Sequence, residues 1–280
     1  MTHGLTLDFF PNLPISDKID ISEFNTKAKE NILDSDFIKF TNLNQFPEIV
    51  QGVSTRSLGN MKMLVSDPKV IKSRENFTRA LGIDINTLVV TENVHGNKIA
   101  VVGKGESGRG AFNALESIQG VDGLITRDPN VNLMVTAADC LPLVAYDPIL
   151  RIVGIAHAGW RGILAGVGAA LVNEFKVLGS KPENLVVGIG PGICQRHFIV
   201  KNDILNKFKD IYPKATFIRN HDGYVDLKAS LTEQLVKAGV SKYNLEVAKE
   251  CTVCNNYYFG SFRAEGDRAI YQAIIIGLKG

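Results

Sequence analysis

Three short segments place metal-type donors beside glycines. Cys140 closes the run Ala137-Ala138-Asp139-Cys140, His157 lies in Ala156-His157-Ala158-Gly159-Trp160-Arg161-Gly162, and His95 sits in Val94-His95-Gly96. One thiolate and two imidazoles are the three-ligand set of a catalytic zinc site, whose fourth position stays open to water or substrate. The donors are 45 and 17 residues apart, so only a fold that joins distant segments makes them a site. Residue types alone leave another reading open, in which His157 is a hydrogen-bonded core histidine and Cys140 a small buried apolar side chain. Three arginines flank glycine turns: Arg56 after Gly52-Val53-Ser54-Thr55, Arg161 after Gly159-Trp160, and Arg263 after Gly260-Ser261-Phe262. Their forked donors suit phosphate. Arg161 is expected at a helix N-terminus, where free N–H groups favour an anion. Ordinary ion pairs are the competing reading for all three.

Other motifs carry less. Cys251-Thr252-Val253-Cys254 is a C-x-x-C pair, spelled like half of a structural zinc site or a redox dithiol. No second C-x-x-C completes it, and the remaining cysteines are Cys140 and Cys194. The pair is therefore read as two ordinary thiols, dispensable for zinc. Gly103-Lys104-Gly105-Glu106-Ser107-Gly108 fits G-x-G-x-x-G but opens no helix within a βαβ unit, so it is read as a surface loop. Gly188-Ile189-Gly190-Pro191-Gly192 lacks the ending of a P-loop and is expected to line a pocket where backbone approaches a ligand.

The elements that must position these residues are short and mixed. Residues 87–92 and 98–103 read as strands joined by a tight turn at Asn93-Val94-His95-Gly96-Asn97. The runs 131–140, 141–147, 151–159, 183–190 and 269–278 are Val- and Ile-rich and too short for paired helices, which makes them buried strands. Asp67-Pro68 predicts a helix start and Gly82 its end near Leu81. Further helices are predicted over 160–178, 201–211 and 226–238, the last capped by Asp226 and closed by Gly239. Residues 1–35 are polar, with a short helix expected at KAKENIL, and read as an extension that wraps the domain or frays. The elements do not alternate strictly, which favours one mixed α/β domain over 36–280 rather than a doubly wound fold.

Composition narrows the partners. The chain carries 31 basic and 29 acidic residues and has no run of like charge suited to nucleic acid. It has no apolar stretch of membrane-spanning length. Four cysteines are too few for a disulfide scaffold, and the N-terminus lacks a signal-peptide pattern, so a cytoplasmic enzyme is expected.

In order, GVSTR (52–56), NVHGNKI (93–99), VDGLIT (121–126), TAADCLPLVAYDP (136–148), VGIAHAGWRG (153–162), GIGPGIC (188–194), CT with FGSFR (251–263) and GDRA (266–269) resemble the YfiH-type laccase-domain family. That family was formerly named for multicopper polyphenol oxidases and later recognised as purine nucleoside phosphorylases. The resemblance spans roughly residues 36–278. It implies a four-layer α/β/β/α sandwich with mixed sheets. It also implies one zinc per chain on His95, Cys140 and His157, and phosphorolysis of adenosine, inosine and methylthioadenosine, with adenosine deamination. Asn93 stands where many relatives have Gln, Ser57-Leu58-Gly59-Asn60 alters a glycine-rich turn, and Arg196-His197 replaces a Cys pair.

Within that reading a purine nucleoside and phosphate are the partners, and Arg56, Arg161 and Arg263 are candidate phosphate ligands. Asp139, beside a metal ligand, would move protons or orient the site. On a strand, however, its side chain would point away from Cys140, in a supporting layer. Two alternatives remain. One is a copper polyphenol oxidase, although five histidines are few for several coppers. The other is a cysteine hydrolase with Cys140 as nucleophile and His157 as its base.

Overall fold

Strands with both faces buried explain why the central runs read as continuous apolar stretches. The computed structural model describes Leu5–Thr6 and residues 36–280. The helix expected at KAKENIL and most of the 1–35 extension lie outside the described residues. In chain order the strands are β1 (Leu5–Thr6), β2 (Phe37–Lys39), β3 (Ile49–Ser54), β4 (Leu88–Val90), β5 (Ile99–Val101), β6 (Gly123–Thr126), β7 (Asn132–Ala137), β8 (Leu141–Asp147), β9 (Ile152–Ala158), β10 (Val186–Ile189), β11 (Ile199–Val200), β12 (Thr216–Arg219), β13 (Asp222–Val225), β14 (Leu245–Val247) and β15 (Gln272–Leu278). The helices are α1 (Thr41–Asn44), α2 (Pro68–Leu81), α3 (Trp160–Ala165), α4 (Val167–Val177), α5 (Asn202–Ile211), α6 (Leu227–Lys237) and α7 (Phe262–Glu265).

The first sheet runs β1-β2-β3-β15-β7-β4 and the second β14-β10-β8-β9-β6-β5. Each is mixed: parallel pairs lie at its edges and antiparallel pairs in its middle. The two sheets pack face to face. Leu133 and Val135 of β7 and Ile274 and Ile276 of β15 share one core with Val144 and Tyr146 of β8 and Val153 and Ile155 of β9. The alternate residues face outward. Leu141, Leu143 and Ala145 meet α4 and α6 through Leu171, Phe175, Leu231 and Leu235, whereas Met134, Ala273 and Ile275 meet α2 through Phe77. Period-two alternation thus feeds separate cores above and below each sheet, and the result is a mixed α/β sandwich of four layers. A small sheet, β11-β13-β12, lies beside it.

Local signals set the helix ends. The Asp67 carboxylate accepts the Lys69 N–H, Pro68 takes the first turn, and Gly82 ends α2 at φ 74°. Asp226 caps α6 by accepting the Ala229 N–H. The single helix expected over 160–178 is two, α3 and α4, because Gly166 at φ 89° interrupts the ladder. The strands at 88–90 and 99–101 form, but in different sheets. The Asn93–Asn97 segment is therefore a crossing from one sheet to the other rather than a hairpin turn. Among the described residues no helix is long and apolar enough to cross a membrane.

Candidate metal centre

Strand pairing assembles the centre. β4 and β7 run parallel, with Val90 beside Met134, so both chains leave the first sheet at the same end. The first exit carries His95 into the second sheet, and the second carries Cys140. In the second sheet β8 is antiparallel to β9, with Leu141 opposite Ala158 and Pro142 opposite His157, which sets Cys140 beside the end of β9. β6 is antiparallel to β9, with Gly123 opposite Ala156, so Asp122 lies alongside His157. The donor atoms of His95, Cys140 and His157 all lie within 4.8 Å of one another. The two imidazoles meet edge to face, with ring centroids 4.8 Å apart.

Gly159 is required by this meeting. A Cβ there would stand 2.9 Å from the His95 ring and 3.1 Å from the Cys140 sulfur. The backbone is also bent to deliver the ligands: Asn93 and His95 both adopt φ 63°, and Asp139 φ 91°. Non-glycine residues hold such angles only where their surroundings over-determine them, at a cost of about 1–3 kcal/mol each.

Asp122 organises two of the three ligands. Its fully buried carboxylate accepts the His95 N–H at 2.8 Å and the Gly96 N–H at 2.6 Å, and meets His157 Nδ1 at 3.0 Å. That bond places the proton on Nδ1 and leaves Nε2 free as a donor to a metal, the carboxylate–histidine arrangement common behind metal-binding imidazoles. Burial alone would raise the Asp122 carboxyl, but the His157 ring and the Gly96 and His95 amides hold it below its usual range. Burial opposes charge on Cys140 too, yet the adjacent His157 and His95 bring its thiol down to about 6. Burial would lower His157, and the Cys140 thiolate and Asp122 instead raise it to about 9. Without metal the pair is a thiolate beside an imidazolium. The donor set, one thiolate and two imidazoles, fits a metal of zinc's type.

The remaining candidates occupy other places. The Asp139 carboxylate, next to Cys140, accepts the Thr252 and Ser261 hydroxyls and the Arg263 N–H, each at 2.6 Å. Because Asp139 sits in a left-handed bend and not on a strand, the alternation argument does not apply to it. Its carboxylate anchors the 251–263 loop to the Cys140 bend, which is a positioning role. The Arg56 guanidinium grips the same loop through the Asn256 and Phe259 carbonyls and an ion pair with Glu265 at 2.8 Å. That of Arg263 donates to the His197 and Ile199 carbonyls and lies over the Phe198 ring. These bonds employ both guanidiniums in holding loops. Arg161 is exposed and stacks at 4.1 Å over Trp160, at the start of α3.

Three readings of the glycine and cysteine motifs fare differently in the structure. Gly103–Gly108 is a loop with a single 3₁₀ turn at Lys104–Glu106, as expected. The glycines at 188, 190 and 192 make room for neighbouring protein: added Cβ atoms would come within 2.5 Å of Phe40, 2.6 Å of Pro142 and 2.4 Å of Leu141. Cys251 and Cys254 are not without partners, since Cys194 and His197 close around them. Asp122 was missed because an acid between Val121 and Gly123 resembles a loop residue. The available signal was a lone carboxylate entering an apolar strand.

A family model described as "Multi-copper polyphenol oxidoreductase laccase" matches residues 48–279. The chain belongs to this laccase-domain family. "Adenosine deaminase RL5", from an unknown prokaryotic organism, is 32% identical over 213 residues, covering 71% of this chain and 78% of that protein. "Purine nucleoside phosphorylase YlmD" of Geobacillus stearothermophilus is 30% identical, over 79% of this chain and 86% of its own. Among solved structures, Bacillus licheniformis YfiH superposes with a TM-score of 0.83 at 30% identity, covering 88% of this chain and 98% of that one. Family membership agrees with the mixed four-layer architecture.

Proposed function

We propose that this laccase-domain protein is a zinc-dependent purine nucleoside phosphorylase that splits adenosine, inosine and methylthioadenosine with phosphate, and that it also deaminates adenosine. The observation that carries the reading is the convergence of His95, Cys140 and His157 in front of the buried Asp122. Relatives named purine nucleoside phosphorylase and adenosine deaminase support the reaction class. Bound there, zinc supplies Lewis-acid polarisation of the purine or activation of a water. Asp122 keeps the His157 proton on Nδ1 and the ring in register. Asp139 holds the 251–263 loop against the Cys140 bend. A cleft of about 420 Å³ borders the Asn93–Asn97 crossing through Asn93 and Val94, with Lys62, Glu92 and Thr136 also in its wall, although His95, Cys140 and His157 do not line it. Its size suits a nucleoside. Arg161 supports the phosphate reading among the three arginines, because it is exposed and stacks on Trp160 rather than holding the loops that Arg56 and Arg263 hold.

Copper chemistry with several ions finds little support in the donors. Of the four histidines among the described residues, His95 and His157 face this centre, His197 stands with cysteines, and His221 is exposed elsewhere. A cysteine-hydrolase reading has one specific observation in its favour, the Asp122–His157–Cys140 series with its lowered thiol. The second imidazole, His95, is surplus to that chemistry and needed for a metal.

The test is product analysis. Purified protein with adenosine and phosphate should give adenine and ribose 1-phosphate, and removal of metal by a chelator should abolish the yield. Arg161→Met should raise the phosphate KM with metal retained. Inosine as sole product, with phosphate without effect, would make the chain a deaminase on this scaffold. Turnover that survives chelation would favour the hydrolase.

A further inference from the structure

The only other group of three or more His, Cys, Asp or Glu donors gathered closely among the described residues lies outside the His95–Cys140–His157 centre. Cys194, His197, Cys251 and Cys254 bring their donor atoms within 4.8 Å of one another. They are spelled as two half-sites, C-x-x-H at 194–197 and C-x-x-C at 251–254. We propose that these four residues hold a second metal ion, a zinc in a closed, structural three-cysteine, one-histidine site.

The distances carry the argument. A tetrahedral zinc with bonds of about 2.3 Å to sulfur and 2.05 Å to nitrogen sets each sulfur about 3.5 Å from the ligating nitrogen. In the structure His197 Nδ1 lies 3.3 Å from the Cys194 sulfur, 3.6 Å from that of Cys251 and 3.5 Å from that of Cys254. One nitrogen equidistant from three sulfurs is the edge pattern of a tetrahedron. A cluster held by hydrogen bonds alone has no reason to take it, since a single imidazole nitrogen cannot bond three thiols at once. The three cysteines are free thiols, not disulfides.

The surroundings suit thiolates. Backbone N–H groups of Cys194 and Cys254 point at the Cys251 sulfur at 3.2 and 3.5 Å, and the Arg196 guanidinium lies 3.9 Å from the Cys254 sulfur. Three thiolates, a neutral imidazole and a dication sum to one negative charge, which Arg196 faces. Lys228 donates to the Ala248 and Glu250 carbonyls and so fixes the segment that leads from β14 to Cys251. With four protein donors no position is left for substrate, which makes the site structural.

Such an ion would tie the 192–198 loop to the 250–263 loop. Both reach the first centre: the Ile193 N–H donates to the Asp139 carbonyl, and Thr252 and Ser261 donate to the Asp139 carboxylate. The second zinc would thereby brace the bend that presents Cys140. This consequence rests on the proposed function, whereas metal binding itself does not.

The experiment uses zinc and the full chain, purified under reducing conditions, in the Cys140→Ala background that disables the first centre. Elemental analysis should find about one zinc per chain retained. Adding Cys254→Ser or His197→Ala should lose it, and His197→Cys, which restores four donors, should keep it. Thiol titration should show three cysteines protected until chelator is added. A folded Cys140→Ala protein without zinc and with freely reacting thiols, or a disulfide among the three, would overturn the proposal. If that background fails to fold, Cys254→Ser in the otherwise native chain gives the same decision, because the zinc content must fall by one equivalent. An unchanged content would refute the site. Loss of phosphorolysis with both zincs present would count against the function alone.

Discussion

Replacing Asp122 by Asn tests the organisation of the first centre without changing its ligands. One carboxylate oxygen serves both the His95 N–H and His157 Nδ1, and the other serves the Gly96 N–H. An amide supplies only one acceptor oxygen. Facing His157, it turns its NH₂ against the Gly96 N–H, at a position where the heavy atoms are 2.6 Å apart. Facing Gly96, it turns the NH₂ on His157 and His95. Either way a buried donor loses its partner, a cost of about 1–3 kcal/mol to folding. Loss of such an outer partner typically weakens metal binding by about ten- to a hundredfold, or roughly 1.4–2.7 kcal/mol. Competition against a chromophoric zinc chelator, with circular dichroism to verify the fold, should report a drop in that range. A folded Asp122→Asn protein with native zinc affinity would refute the orienting role.

Three further outcomes follow from the same geometry. In metal-free protein, alkylation of Cys140, followed by peptide mass spectrometry, should show a midpoint near pH 6, because the thiol is lowered to about 6 and the reactive thiolate predominates above that value. His157, raised to about 9, is protonated at neutral pH. Zinc binding between these values should therefore expel the His157 proton, visible as a binding enthalpy that varies with buffer ionisation. A Cys140 midpoint near that of an ordinary thiol would contradict the pairing. Gly159→Ala should lower zinc affinity at least tenfold while leaving the fold intact, since its methyl would enter the contact zone of His95 and Cys140; native zinc content and affinity would show that the ligands accommodate it.

Local features were legible in the sequence, and pairings were not. Asp67-Pro68 and Gly82 bound α2 because caps act through neighbouring residues. The apolar runs announced buried strands, and the donors His95, Cys140 and His157 stood out by type. Nothing in the spacing of β4 and β5 told that they join different sheets, because sheet membership is decided by which strands pair at long range. The same holds for Asp122, whose role depends on the register of β6 against β9. Cys251 and Cys254 look unpartnered when cysteines alone are counted, because the fourth donor of their group is a histidine, His197. By type Arg56 and Arg263 suit either an anion or an ordinary ion pair, and only the folded loops reveal the carbonyls and the Glu265 carboxylate that engage them.

His95 and Cys140 ride on the two connections that lead from the first sheet into the second, β4 to β5 and β7 to β8, while His157 belongs wholly to the second sheet. The distance between ligands is consequently a reading of how the two sheets sit upon each other. A change in the layer between them, where Val135 and Ile155 meet, would alter the coordination geometry without touching a ligand. Conversely, an ion that prefers one geometry acts as a gauge block between the layers, so the thickness of the hydrophobic interior and the choice of metal are set together.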